Sequence, residues 1–268
     1  MGKKEDSLKL LLPLLKASGS RKKLEETLVA NSNLPGKRAN LELAFAVADF
    51  FGSGNLNESS WKMLTEWARI APEDAPVNHP KEFLPFCAIL SLGSSYSLAG
   101  QKNKAKVIDI IKNAASDPRW RMREAAAMGF QRIAEEDFNV IKRLFSEWIG
   151  KATFSEKRAI LVALAHPPIL NKEENVAFCF QMADEVLQGL LDLKRSDEET
   201  EEYTILKKGL GFTLSVYVVY SPGKGFSFLK EWAQKGNEEI RKIIKTNLSK
   251  SRLVKQYGNR IREIQACL

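Results

Sequence analysis

The chain has 268 residues, 44% hydrophobic and 28% charged, and its 41 basic and 33 acidic side chains leave a formal charge of +8 and a pI near 9.3. A hydrophobic share of this size excludes a disordered chain. Cys87, Cys179 and Cys267 are odd in number and far apart, which excludes a disulfide scaffold and a zinc knuckle; unpaired thiols fit a reducing compartment, so a cytoplasmic location is expected.

At the start of the chain lysines precede an apolar run, as in a signal peptide. The run, Leu10 to Leu15, is short, broken by Pro13 and preceded by Glu5 and Asp6, so it reads as an amphipathic helix over 5–17. Apolar residues then recur at helical spacing and predict helices over 20–31, 38–51, 58–70, 80–98, 102–115, 118–134, 137–149, 155–165, 172–193, 199–220, 224–234, 237–249 and 252–264. Pro35-Gly36, Gly52-Ser53-Gly54, the Pro72 to Pro80 stretch, Gly100, Asp117-Pro118, Pro167-Pro168 and Ser221-Pro222-Gly223 punctuate them. Asn57 or Ser59, Asp117 and Ser155 are the expected caps, with Pro118 at a first helical position. The β-branched run Val216 to Tyr220 continues a helical pattern, with a strand as the alternative. The longest apolar stretches, Phe83–Leu92 and Leu210–Tyr220, fall short of the roughly 18 residues a membrane span needs.

Short helices joined by short loops imply antiparallel pairs. The best-marked pair runs from Val107 to Ile133. Its first helix carries Val107, Ile110, Ile111 and Ala114; its second carries Met122, Ala126, Gly129, Phe130 and Ile133 on one face, with Ala125, Ala126 and Gly129 small enough for close approach. Weaker copies follow at Ser155–Leu164 and Glu239–Ile244, each with a basic residue just inside the second helix. Arg123 and Arg158 are 35 residues apart, a spacing usual for two-helix repeats. The pattern of aspartate, Met122-Arg123, alanines and Gly129 resembles a HEAT repeat. That resemblance implies an all-α fold: one right-handed superhelix of stacked hairpins over 1–268, most clearly marked over 102–165 and 224–249, with the helix over 5–17 as a cap and a monomer as the expected state.

The charge is uneven. Lys102 to Arg132 holds eight basic residues against Asp109, Asp117 and Glu124, and Lys235 to Arg262 holds nine against Glu238 and Glu239. An acidic knot occupies Asp192 to Glu202. Ile240, Ile243, Ile244 and Leu248 form a buried stripe that leaves Arg241 and Lys245 outside it. Leu253, Tyr257, Ile261 and Ile264 do the same for Arg252, Lys255, Asn259 and Arg262. A basic stripe on a concave wall suits a phosphate backbone or an acidic partner.

Asp117-Pro118-Arg119-Trp120-Arg121-Met122-Arg123 gathers three arginines and a tryptophan at one helix start. It supports two readings. In one, the ring and the guanidinium groups stack a base or hold a cation; in the other, Asp117 caps, Trp120 packs between hairpins and Arg123 bonds a neighbouring repeat's aspartate. Asp117, Trp120 and Arg123, followed by alanines, are similar to a stretch in the AlkD-type DNA glycosylases. The resemblance implies a DNA contact for Arg123 and, as an alternative activity, release of alkylated bases. That family also uses a catalytic aspartate and tryptophans on an earlier helix. The matching helix, Lys81 to Leu90, has neither; Trp61, Glu66 and Trp67 lie further upstream at a different spacing.

His79 and His166 each precede a proline at a helix boundary and have no ligand partners at metal spacing. Gly223-Lys224-Gly225 lacks the rest of a phosphate-binding loop, and Gly209-x-Gly211 reads as a site of tight helix packing. The expected function is therefore a non-enzymatic binding or scaffold protein without catalytic residue, cofactor or metal. Its partner is DNA or an acidic protein segment, met by Arg119, Trp120, Arg121, Arg123, Arg158, Arg241, Arg252, Lys255 and Arg262.

Overall fold

The computed structural model describes residues 9, 11–15, 20–191, 193 and 200–268. Most of the expected helix over 5–17 and of the acidic knot lies outside them. The described residues form helices joined by turns and loops, with no strand, and none of their helices is long and apolar enough to cross a membrane. Two compact units divide the chain, 1–136 and 137–268.

The first unit contains α1 (Arg21–Ala30), α2 (Leu41–Phe50), α3 (Glu58–Ala68), α4 (Phe83–Ser94), α5 (Gln101–Ala115) and α6 (Trp120–Glu136). Its core is α4, buried at every position from Phe83 to Gly93. Helices α2 and α6 flank α4, and α3 and α5 also pack on it. Glu82 meets Arg121 at one end and Gly93 meets Gly129 at the other, so α4 and α6 run parallel. A Cβ on Gly93 would lie 2.5 Å from the Gly129 carbonyl oxygen; glycine at 93 is what lets the two backbones approach this closely. The small stripe seen on α6 in the sequence is this contact.

The second unit contains α7 (Phe138–Trp148), α8 (Phe154–Leu164), α9 (Glu173–Leu191), α10 (Glu201–Tyr220), α11 (Pro222–Lys235), α12 (Glu238–Leu248), α13 (Ser251–Val254) and α14 (Gly258–Gln265). Helix α10 is central. Phe154 meets Tyr203, Arg158 meets Gly209, and the Tyr217 hydroxyl donates to the Leu161 carbonyl at 2.7 Å, so α8 and α10 ascend together. Lys207 meets Glu239 and Gly211 meets Thr246, which sets α12 parallel on the other side. Asn247 joins the two: its Oδ1 accepts from the Ser215 N–H at 2.9 Å and its Nδ2 donates to the Leu210 carbonyl at 2.8 Å. Gly209 thus serves helix packing, whereas a Cβ on Gly211 would make an ordinary 3.4 Å contact with Thr246.

Local chemistry explains the boundaries. Asn57 caps α3 in a reciprocal arrangement with Ser60. Helix α8 starts one turn-position earlier than expected, because Thr153, not Ser155, has Glu156 three residues on to complete a capping box. Helix α6 starts at Trp120, so Pro118 precedes it; Asp117 Oδ1 accepts from the Arg119 N–H at 2.8 Å. Val216 to Tyr220 are helical. The expected last helix is two, α13 and α14, interrupted at residues 255–257; Leu253, Ile261 and Ile264 are still buried and Tyr257 half-buried.

Candidate functional site

The arginine cluster at the start of α6 is not the exposed binding face expected of it. Arg119 is 2% exposed and its guanidinium bonds both Asp117 oxygens and the carbonyls of Ile70 and Ala75. Arg121 is 3% exposed and pairs with Glu82 at 3.1 Å, with further bonds to Asn78 Oδ1 and the Gly36 carbonyl. Arg123 is half-buried, its Nη1 donating to the carbonyls of Asp117 and Pro118 at 2.7 and 2.8 Å. These groups tie the ends of α3, α4 and α5 to α6. Buried arginines need such partners, because an unpaired charge out of water is costly. Trp120, expected between hairpins, is 42% exposed with the Arg121 guanidinium 4.3 Å from its ring centre.

The carboxylates around the upstream helices are also committed. Glu82 is fully buried against Arg121. Glu66 is exposed and bonds Arg21, which holds its carboxyl below the usual range. Trp67 is buried and its indole N–H donates to Glu25 at 2.7 Å, while Trp61 is half-exposed. His79 caps a short turn by accepting from the Lys81 N–H. Among the described residues no group of three or more His, Cys, Asp or Glu could hold a metal ion.

The strongest concentration of accessible charge is in the second unit. Residues 203–268 hold thirteen basic and four acidic side chains. Thr204, Lys207, Lys208 and Gly211 of α10 face Glu239, Lys242, Ile243 and Thr246 of α12, with Lys250 just beyond, across an open groove of about 480 Å³. Glu239 lies between Lys207 and Lys242, at 3.0 and 2.9 Å. Lys242 first and Lys207 second hold its carboxyl below the usual range by hydrogen bonding. Among the described residues Lys208 and Lys250 have no carboxylate within ion-pair distance; Glu239 is the one acid in the groove lining, and Lys242 also pairs with Glu238 beside it at 3.0 Å. Thr204 and Thr246 place two hydroxyl groups beside them. Cations and hydroxyl donors on a firm helical floor suit the oxygens of phosphates or carboxylates.

Of the residues expected at a site, Arg158 crosses α10 at Gly209, its side-chain stem against the glycine. Arg241 is exposed on α12 and donates from Nε to the Ala233 carbonyl at 3.2 Å. Arg241 and Lys245 line a second depression with Glu238 and Lys242. Arg252 and Lys255 are exposed near α13, and Arg262 is exposed on α14 bonded to Asn259; none of the three lines the α10–α12 groove. Lys207, Lys208 and Lys250 were not singled out by sequence. The visible signal was the lysine doublet directly before the Gly209-x-Gly211 packing site: a helix that must touch its neighbour at the glycines carries the preceding doublet to the rim.

The chain matches no protein-family model and no curated protein. A solved structure described as an engineered protein, a target of the Northeast Structural Genomics Consortium, is 15% identical; the match covers 98% of each chain with a TM-score of 0.32.

Proposed function

We propose that this chain is a non-enzymatic, HEAT-like helical-repeat protein that binds nucleic acid through the basic face formed by α10 and α12. The observation that carries the reading is the groove lined by Lys207, Lys208, Lys242 and Lys250 with a single acid, Glu239, in its lining. Parallel α8, α10 and α12 give that face a rigid floor, as expected of second helices in stacked two-helix repeats. Lysine arrays of this kind recognise phosphate by charge and not by base sequence, so the reading implies binding with little sequence preference.

The test is fluorescence anisotropy of a labelled DNA duplex at low ionic strength, with the wild-type chain and the double variant Lys208→Glu, Lys250→Glu. Binding that weakens by about tenfold or more in the variant is the expected result. Unchanged binding would remove the α10–α12 face from the reading, and polyglutamate displacing the duplex at lower charge concentration than unlabelled DNA would replace it with that of an adaptor for acidic protein segments.

A further inference from the structure

The first unit carries a different kind of site. Pro35, Gly36, Lys37, Val77, Asn78, Trp120 and Arg121 line a shallow, open depression of about 480 Å³. Two of its members are large apolar side chains left in solvent: Trp120 is 42% exposed and Val77 51%. The indole is held in place from behind. The Arg121 guanidinium lies over one face of the ring, and that guanidinium is itself fixed by Glu82, Asn78 and the Gly36 carbonyl. The exposed part of Trp120 is therefore its other face and edges, presented on a support that does not need to rearrange.

The polar groups define what can sit there. Asn78 uses its Oδ1 to accept from the Gly36 N–H at 2.9 Å and from Arg121 at 3.0 Å, and its backbone N–H is bonded to Glu82. Among the described residues its Nδ2 donors have no partner. Lys37 is exposed and has no carboxylate within ion-pair distance among the described residues. A cationic occupant is disfavoured: one face of the ring already meets a cation, and Lys37 adds repulsion. An occupant that uses the free indole face and Lys37 is flat and carries an anion.

We propose that this depression binds a purine nucleotide, its base stacked on the free face of Trp120 with Val77 at its edge and its phosphate on Lys37. Base-on-indole stacking is favourable for any nucleobase and greatest in area for a purine. The site is independent of the α10–α12 groove and of the function assigned to it.

Isothermal titration with AMP, adenosine and ribose 5-phosphate tests it. AMP binds, and adenosine and ribose 5-phosphate bind more weakly. Trp120→Ala weakens AMP by about tenfold or more, and Lys37→Ala lowers AMP to the level of adenosine while leaving adenosine unchanged. Both side chains are exposed, and the Lys37→Ala arm stands even where Trp120→Ala lowers thermal stability. A parallel titration with the trinucleotide (dA)₃ names the source: binding that also falls in Trp120→Ala assigns the site to a single strand, and binding of AMP alone assigns it to free nucleotide. No AMP binding, equal binding of ribose 5-phosphate, or AMP binding indifferent to Trp120→Ala overturns the proposal. Loss of AMP binding in Lys208→Glu also overturns it, because the ligand would then sit in the second unit's groove. Failure of DNA binding by the α10–α12 face leaves it standing.

Discussion

Two glutamates show how position decides the work of a carboxylate. Glu82 is sealed between α4 and α6 against Arg121, and its Oε1 and the Arg121 Nε have no hydrogen-bond partner among the described residues. Removing one member of such a pair leaves a buried charge, so Glu82→Ala should lower stability by about 3–5 kcal/mol in urea unfolding; a loss below about 1 kcal/mol would show that the pair is solvated. Glu239, by contrast, sits at the rim of an open groove, held below the ordinary carboxylate range by Lys242 and Lys207. Its pairing contributes above that range and is lost as pH falls through the lowered value. Protonation then removes negative charge from the groove, so DNA affinity should rise on the acid side. In Glu239→Gln the neutral-pH affinity is higher and the Glu239 part of that acid-side rise is gone. An unchanged pH profile in the variant would separate Glu239 from binding.

At the scale of the helices, glycine is the deciding residue in opposite senses. Gly93 has the backbone of Gly129 where its Cβ would go. Gly93→Ala must therefore push α4 and α6 apart, with an expected loss of about 1–3 kcal/mol. Gly189 is exposed within α9 and would meet nothing within 4 Å. Gly189→Ala should stabilise the protein by about 0.5–1 kcal/mol through reduced freedom of the unfolded chain and better helix propensity. Denaturant midpoints that move the same way for both variants would contradict the assigned α4–α6 contact. The glycine of α6 was legible in the sequence because Gly129 stood among alanines on an apolar face. Its partner was not, since Gly93 is separated from it by a further helix and two loops.

On the scale of the whole molecule, net charge is a poor guide to where cationic side chains stay accessible. The formal +8 comes from the stretch after Tyr203, and the earlier basic block at 102–132 spends three arginines on internal contacts. If about four lysines meet phosphates, the logarithm of DNA affinity should fall with the logarithm of salt with a slope of about −3 to −4; a slope near zero would remove the phosphate contacts from the account.

Helix content and most boundaries were readable from the chain alone, because helical spacing, caps such as Asn57, and breakers such as Ser221-Pro222 act over a few residues. The break at residues 255–257 was not, since Leu253, Ile261 and Ile264 keep one helical rhythm across it. Charge on the linear chain looked alike at Arg121 and at Lys208. Only packing distinguished them: Arg121 meets Glu82 39 residues away in sequence and is sealed, whereas Lys208 precedes a glycine contact and is left at the rim. Burial of a long polar side chain depends on which distant helices meet around it, and that information is absent from local periodicity.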